Sequence, residues 1–189
     1  MIPGISSRRR FADLTEQEVL ALAISSEEDD GRIYRSYAES LRTDYPGSAA
    51  VFDGMAAEEN RHRQRLIDLH TSRFGDVIPL IRREHVAGFY ARRPVWLTEN
   101  LGLERIRAEA HGMEQDAAAF YQRAAARTTD AATRRLLGDL AAAEAGHVRM
   151  VAALALSADN RFGRVGARVH PVDHPAFADD VDTLVGRAG

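Results

Sequence analysis

Apolar residues recur at every third or fourth position along four segments of the chain, the spacing of helices with one buried face. The first segment opens with the capping-box pattern TEQE at 15–18 and ends before Pro46-Gly47. Ser48 is a suitable cap for a second helix, which we expect to run to about Arg73. The first half of the chain therefore predicts two long helices joined by a short turn.

Two further helices follow in the second half. The third is predicted from Leu101 or Glu104 to about residue 127, and Thr129 or Asp130 is placed to cap the fourth. No segment shows a convincing strand pattern. These features indicate an all-α protein.

The stretch between the second and third helices, residues 74–100, is long and contains Phe89, Tyr90, Val95 and Trp96. A connection of this length allows the helices on either side of it to run parallel. The sequence thus predicts a four-helix bundle with one long, ordered crossover connection between helices 2 and 3. We expect this domain to span 10–156, and a tail rich in Gly, Asp, Arg and Pro to cover 157–189.

Each predicted helix has a glutamate inside its apolar stripe, where a core residue is expected. Two of the helices add a histidine three residues later, on the same face. The six residues are Glu27 in the first helix, Glu59 and His62 in the second, Glu114 in the third, and Glu144 and His147 in the fourth. A single Glu-x-x-His pair is usually a solvated pair, but two of them on apolar stripes indicate a common site.

The two halves of the chain repeat this pattern. Glu27 is followed by Tyr34 at +7, and Glu114 is followed by Tyr121 at +7. Each is then followed, about 30 residues later, by a Glu-x-x-His pair. We interpret both tyrosines as core residues with a hydrogen-bonded hydroxyl. Among other polar residues, Asp30 is either a partner that orients a histidine or part of a solvated face, and His111 has a structural or supporting role.

Four buried carboxylates require a compensating charge, because each unpaired one would cost several kcal/mol. No arginine recurs on the four stripes, and the chain contains no lysine. Two divalent cations balance four carboxylates. Carboxylate and imidazole ligands suit iron, manganese or cobalt, whereas a closed zinc site more often uses cysteine or more histidines.

The ligand pattern is the one that di-iron carboxylate bundles use, with a glutamate from each of two helices and a Glu-x-x-His from each of the others. In that geometry Glu59 and Glu144 bridge the two metals, while Glu27 and Glu114 are terminal ligands. Each histidine binds one metal. We therefore predict two iron ions (Fe2+/Fe3+), with Mn2+ as a substitute, and neither haem nor flavin.

Composition and charge exclude several classes of partner and metal site. A net charge of −3 gives no reason to expect a nucleic-acid partner, and the absence of cysteine excludes disulfides and thiolate metal centres in this sequence. The N-terminus lacks the apolar core of a signal peptide, and no apolar run is long enough for a membrane span. We expect a cytoplasmic protein, or one at the cytoplasmic face of a membrane if it belongs to a longer chain.

The segments EEDDGRIYRSYAESL, EENRHRQRL, IRREHVAGFYARRPVW and GDLAAAEAGH resemble the ferritin-like superfamily in its rubrerythrin branch. They look closest to the cytoplasmic domain of bacterial membrane-bound ferritins, the erythrin–vacuolar iron transporter family. The resemblance covers about residues 10–156. It implies a homodimeric domain that binds Fe(II) and oxidises it with O2 or H2O2, in iron homeostasis and detoxification. The six ligands are then also the catalytic residues.

The chain departs from that family in two ways. Members carry a membrane iron-transporter domain, and no membrane segment follows residue 156. We therefore expect either the soluble domain of a longer protein or a stand-alone relative, with the transporter domain not present in this chain. Rubrerythrins proper use a cysteine-rich electron-transfer domain and place another glutamate where Ala117 stands, which weakens a peroxidase function. A di-iron oxygenase or peroxidase and a non-enzymatic iron sensor or docking module are the alternative functions.

Overall fold

The computed structural model describes residues 8–97 and 101–154, and four long helices make up most of this part of the chain. The helices are α1 (Glu16–Leu41), α2 (Pro46–Phe74), α3 (Leu103–Arg127) and α4 (Ala131–Leu154). Helix α1 packs chiefly against α2, and α3 against α4. Short turns join each pair, and a long crossover connects α2 to α3, which confirms the predicted all-α four-helix bundle.

Short-range hydrogen bonds mark the starts of α1 and α4, and a glycine with positive φ marks the end of α2. At α1 the predicted capping box forms, because Thr15 accepts a hydrogen bond from the backbone of Glu18 and the Glu18 carboxylate accepts one from the backbone of Thr15. Asp130 likewise accepts a hydrogen bond from the backbone of Thr133 at the start of α4. Helix α2 ends at Phe74, and the next residue, Gly75, has a φ of +83° that favours glycine.

The start of α2 differs from the prediction. The helix begins at Pro46, a residue that the first helical position tolerates because its missing N–H would be unpaired there. The predicted cap, Ser48, lies inside the first turn and is buried. Its hydroxyl accepts a hydrogen bond from Arg107 of α3 at 3.2 Å, so Ser48 links two helices instead of capping one.

The expectation of no strand was wrong at one place. Arg9–Arg10 (β1) and Val86–Ala87 (β2) form a two-stranded parallel pair, with Arg9 opposite Val86. Strands of two residues are too short to show an alternating pattern of polar and apolar positions. The pair attaches the segment before α1 to the crossover.

The apolar core is divided into two clusters by the six acidic and histidine positions. One cluster contains Leu20, Leu66, Phe120 and Leu140. The other contains Phe52 and further residues from the C-terminal parts of α1 and α4 and the N-terminal parts of α2 and α3. Along every helix the predicted ligand lies between a stretch in one cluster and a stretch in the other. The charged layer is therefore closed above and below by packed hydrocarbon.

The predicted domain limits, 10–156, stay a prediction, and the predicted tail at 157–189 lies outside the described residues. None of the described helices is long and apolar enough to cross a lipid bilayer.

Candidate metal centre

The structure brings all six predicted residues into one layer of the bundle. Their side chains come from four different helices, yet each residue is only 1–7% exposed. The residues are Glu27 (α1), Glu59 and His62 (α2), Glu114 (α3), and Glu144 and His147 (α4). Six ionisable side chains are thus removed from water together.

These residues form two groups in which the candidate ligand atoms all lie within 4.8 Å of one another. The groups are Glu27, Glu59, His62 and Glu144, and Glu59, Glu114, Glu144 and His147. Glu59 and Glu144 belong to both. The remaining residues of each group are one glutamate and one histidine, so the two groups are chemically equivalent.

The shared carboxylates direct one oxygen toward each histidine. Nδ1 of His62 lies 3.1 Å from Oε1 of Glu144 and 3.3 Å from Oε2 of Glu59. Nδ1 of His147 lies 3.3 Å from Oε2 of Glu144 and 3.6 Å from Oε1 of Glu59. Carboxylates in this orientation can bridge two metal ions.

The terminal glutamates complete the two groups. Oε2 of Glu27 lies 3.6 Å from Nδ1 of His62, and Oε2 of Glu114 lies 3.2 Å from Nδ1 of His147. The two imidazole rings are nearly parallel, with centroids 6.0 Å apart. Each Nδ1 therefore faces three carboxylate oxygens from three different helices.

Three atoms of the layer are buried without a hydrogen bond of suitable geometry, although the nitrogen among them lies 3.1 and 3.6 Å from the two oxygens. They are Oε2 of Glu27, Nδ1 of His62 and Oε1 of Glu144. Buried polar atoms in proteins are almost always hydrogen-bonded, so such unpaired atoms require an explanation. All three face the same point between α1, α2 and α4, and carboxylate oxygen plus imidazole nitrogen is a donor set that suits divalent iron or manganese. The residues present therefore fit a metal ion.

Two buried tyrosines hold the terminal glutamates across the bundle. The Tyr34 hydroxyl donates a hydrogen bond to Oε1 of Glu114, and the Tyr121 hydroxyl donates one to Oε1 of Glu27. Each tyrosine thus contacts the glutamate of the other half of the repeat. The expectation of core tyrosines with hydrogen-bonded hydroxyls is confirmed.

Burial and mutual repulsion shift the pKa values in this layer. Burial, with repulsion from Glu27 and Glu144, raises the pKa of Glu59, and burial raises the pKa of Glu114 to about 8. Burial alone would lower the pKa of His62, but its carboxylate neighbours Glu144 and Glu27 raise it to about 10.

The pKa values of His147 and Glu144 shift for the same reasons. Burial opposes the charge of His147 as well, yet Glu114 and Glu144 raise its pKa to about 11. Burial would raise the pKa of Glu144, but the two histidines hold it below its usual range. Without a metal, protons therefore provide the positive charge of the layer.

One residue next to the layer was not predicted. The Glu58 carboxylate contacts Nε2 of His147, on the side of the ring opposite to the carboxylate layer. Glu58 directly precedes the predicted ligand Glu59, but no spacing in the sequence indicates a contact with a histidine of another helix. The half-buried His111 belongs to neither group.

Asp30 has a different role from either of those predicted. It is buried and accepts hydrogen bonds from Arg83 at 2.8 Å and Arg92 at 2.9 Å, both in the crossover. Arg92 also donates to the backbone oxygen of Met113 and to Asp116 of α3. Asp30 therefore fixes the crossover to α1 one turn from Glu27, and it neither orients a histidine nor faces solvent.

Comparison with known proteins agrees with this architecture. The sequence model of the rubrerythrin family matches residues 18–155. The chain belongs to the rubrerythrin family. Membership of this ferritin-like family implies a di-iron binding site, and the two Glu/His groups are the residues able to hold it. The predicted recognition is confirmed at the level of the family.

A solved structure supports the fold of this rubrerythrin-family chain. It is a hypothetical protein from Pyrococcus furiosus, 24% identical in sequence, with a TM-score of 0.60. The match covers 76% of this chain and 90% of that protein. No protein with a curated description matches the sequence.

Proposed function

We propose that the chain binds two iron ions at the six predicted residues and oxidises Fe(II) with O2 or H2O2. The observation that supports this most strongly is the orientation of the shared carboxylates, since Glu59 and Glu144 each direct one oxygen to either histidine. In this proposal they bridge the two irons. Glu27 with His62, and Glu114 with His147, are the terminal ligands.

Fe(II) is both bound and consumed in this reaction. Two Fe(II) ions supply the two electrons that reduce one molecule of oxidant. With H2O2 the O–O bond breaks, two protons are taken up and two waters form, while O2 is reduced with two protons to H2O2. A pair of adjacent sites suits this stoichiometry, because neither iron alone supplies both electrons.

The chain's own residues provide a rigid, water-poor environment. The two apolar clusters exclude bulk solvent from above and below the layer. Tyr34 and Tyr121 restrain the terminal glutamates by donating to one oxygen of each, which leaves the second oxygen for a metal. These contacts position ligands that would otherwise lose side-chain entropy on binding.

The opening to the layer favours a small co-substrate. The cavity that reaches Glu27, between α1 and α2, has a volume of about 20 Å³. That volume holds about one water-sized molecule, so it is too small for an organic substrate. A cavity of this size suits O2 or H2O2, the oxidants of the proposed reaction.

The remaining predictions concern the biological role, oligomeric state, location and partner of the chain. A role in iron homeostasis and detoxification, a homodimer, a cytoplasmic location and a membrane iron exporter as partner stay predictions that follow from the resemblance. Mn2+ is a second metal that the same donor set can bind.

An anaerobic titration of the metal-free protein with Fe(II), followed by mixing with O2 or H2O2, tests the proposal. We expect saturation at two irons per chain and rapid growth of near-UV absorption from ferric iron. Glu59→Gln should abolish the rapid phase, because it removes a bridging ligand. Glu39→Gln is the matched control, since Glu39 is exposed on α1 and contacts no residue of the layer.

Two results would contradict the proposal. Failure of the wild-type protein to bind iron would remove the metal site altogether. Binding of two irons followed by oxidation at the rate of buffer would retain the site but would favour the iron sensor or docking function.

A further inference from the structure

We propose that the two metal positions are unequal and that Glu58 makes them so. The inner position is defined by Glu114 and His147, and the outer position by Glu27 and His62; Glu59 and Glu144 belong to both. The inner position holds its metal tightly, and the outer one exchanges metal with solvent. This inference rests on the proposed di-iron function and adds that the two positions differ in affinity and in metal exchange.

Glu58 fixes the ring of His147 from outside the layer. Its side chain is 39% exposed, and one carboxylate oxygen contacts Nε2 of His147 while the other lies 3.1 Å from Nη2 of Arg61. When a metal replaces the Nδ1 proton, an imidazole that donates Nε2–H to Glu58 would present its Nδ1 lone pair to the space that it shares with Glu114 and Glu144. Glu58 is thus a positioning residue for the inner position.

The outer histidine lacks this support. Among the described residues, no carboxylate is paired with Nε2 of His62. The internal repeat shows why, because Glu58 directly precedes Glu59 whereas the corresponding residue before Glu144 is Ala143. An alanine cannot accept a hydrogen bond from an imidazole through its side chain.

A supporting carboxylate of this kind has a measurable effect on metal affinity. It selects the tautomer, fixes the ring orientation and increases the basicity of the ligating nitrogen. Loss of such a partner typically reduces metal affinity about 10- to 100-fold. Since only His147 has this partner, the inner position should bind a divalent ion more tightly than the outer one.

A small cavity lies next to one of the two positions. The cavity between α1 and α2 is lined by Glu27, and Glu28, Gly31 and Asn60 lie beside it. Of the six ligands, Glu27 alone lines this cavity. The helices approach closely here, since a Cβ atom on Gly31 would lie 3.4 Å from Cβ of Glu59. Metal that enters or leaves by this route meets the outer position first.

Titration of the metal-free protein with Co(II) tests the inference without using activity, because Co(II) reports its ligands through visible absorption. We expect two Co(II) per chain in two steps that differ by about 10- to 100-fold in affinity. His62→Ala should remove the weaker step and His147→Ala the tighter one. A chelator should then extract one of the two ions faster than the other.

Glu58→Gln should weaken the tighter step and leave the weaker step unchanged. In a His147→Ala background the same substitution should have no effect, because the histidine that Glu58 positions is gone. Glu39→Gln controls for the loss of one negative charge. Circular dichroism of each variant shows whether the helices remain folded.

The outcomes separate this inference from the proposed function. Two Co(II) bound with equal affinity, or an equal loss at both steps in Glu58→Gln, would overturn the inference while leaving the di-metal site in place. Absence of Co(II) binding to the wild-type protein would overturn both.

Discussion

At the scale of single residues, the arrangement of the two tyrosines is the clearest sign that the layer is built around its terminal glutamates. Tyr34 in α1 contacts Glu114 in α3, and Tyr121 in α3 contacts Glu27 in α1. The contacts run diagonally between the two halves of the repeat. Each hydroxyl therefore links the halves and restrains a candidate ligand at the same time.

Substitution of Tyr121 by phenylalanine tests that restraint. The change leaves one oxygen of Glu27 buried without a donor, and a hydrogen bond to a charged group contributes about 1.5–3 kcal/mol. We expect the Co(II) affinity of the outer position to fall about 10-fold or more. Tyr45→Phe is the control, because Tyr45 is half-buried at the start of α2 and away from the layer. Unchanged affinity in Tyr121→Phe would show that the hydroxyl does not position Glu27.

The protons of the metal-free layer predict how binding depends on pH. At pH 7 the groups with raised pKa values, Glu114 at about 8, His62 at about 10 and His147 at about 11, hold protons. A metal binds only the deprotonated forms, so binding must release protons. Apparent affinity should therefore rise as pH increases from about 6 to 8.

Calorimetric titration in two buffers of different ionisation enthalpy measures this release directly. We expect at least one proton released per chain on loading at pH 7. Equal heats in both buffers, together with affinity that does not change with pH, would contradict this account of the layer.

At the residue scale, the helical period identified which side chains face inward. Each of the six layer residues interrupts the apolar face of its helix, and the packing of the four helices brings these faces together. Glu58 was missed because it lies beside the stripe and its partner, His147, belongs to another helix. The roles of Asp30 were missed because Arg83 and Arg92 reach it from an irregular segment that has no periodic pattern.

At the scale of elements, the crossover is attached to the bundle by buried charges rather than by a long strand or helix. Arg83 and Arg92 both donate to Asp30, and their guanidinium groups also lie over the ring of Tyr90 at 5.1 and 4.2 Å from its centroid. These contacts hold the crossover against α1 next to Glu27. The crossover thus closes one side of the charged layer.

Asp30→Asn should destabilise the protein strongly. The substitution leaves the buried guanidinium group of Arg83 without its carboxylate and removes one of the two carboxylates paired with Arg92, and breaking a buried ion pair costs about 3–5 kcal/mol. Urea denaturation of the metal-free protein measures the change. Asp29→Asn is the matched control, because Asp29 is the neighbouring residue, is half-buried, and its ion pair in the described part of the chain is a 3.6 Å contact with the partly exposed Arg82. Equal stability of the two variants would show that Asp30 does not secure the crossover.

Element boundaries could be predicted where a local signal exists. The TEQE box and Asp130 mark the starts of α1 and α4 because caps are short-range hydrogen bonds. Ser48 was assigned wrongly, since its hydroxyl bonds to Arg107 on α3 and that contact depends on how the helices pack. The parallel pair of β1 and β2 was missed for the same reason, because it depends on how distant segments of the chain pack.

At the scale of the whole molecule, the charged layer divides the core, so a metal bound in it as proposed would stabilise the fold. A ligand that binds only the folded state raises the free energy of unfolding, by about 2.7 kcal/mol at 100 times its dissociation constant. For a domain of this size that corresponds to an increase in Tm of about 5–10 °C.

Scanning calorimetry under anaerobic conditions, with and without Fe(II), measures this increase. Glu59→Gln should show little or no increase, because the bridging ligand is lost. Mg(II) at the same concentration is a control, since it retains its water ligands and binds all-protein sites poorly. An equal increase with Mg(II) would indicate general charge neutralisation rather than a specific site.

The most direct test of the central claim is a crystal of the protein loaded anaerobically with Fe(II), measured on both sides of the iron absorption edge. The proposed di-iron site predicts two anomalous peaks in the layer between the two apolar clusters. One should lie among Glu27, Glu59, His62 and Glu144, and the other among Glu59, Glu114, Glu144 and His147. A single peak, or iron bound only outside these six residues, would contradict it.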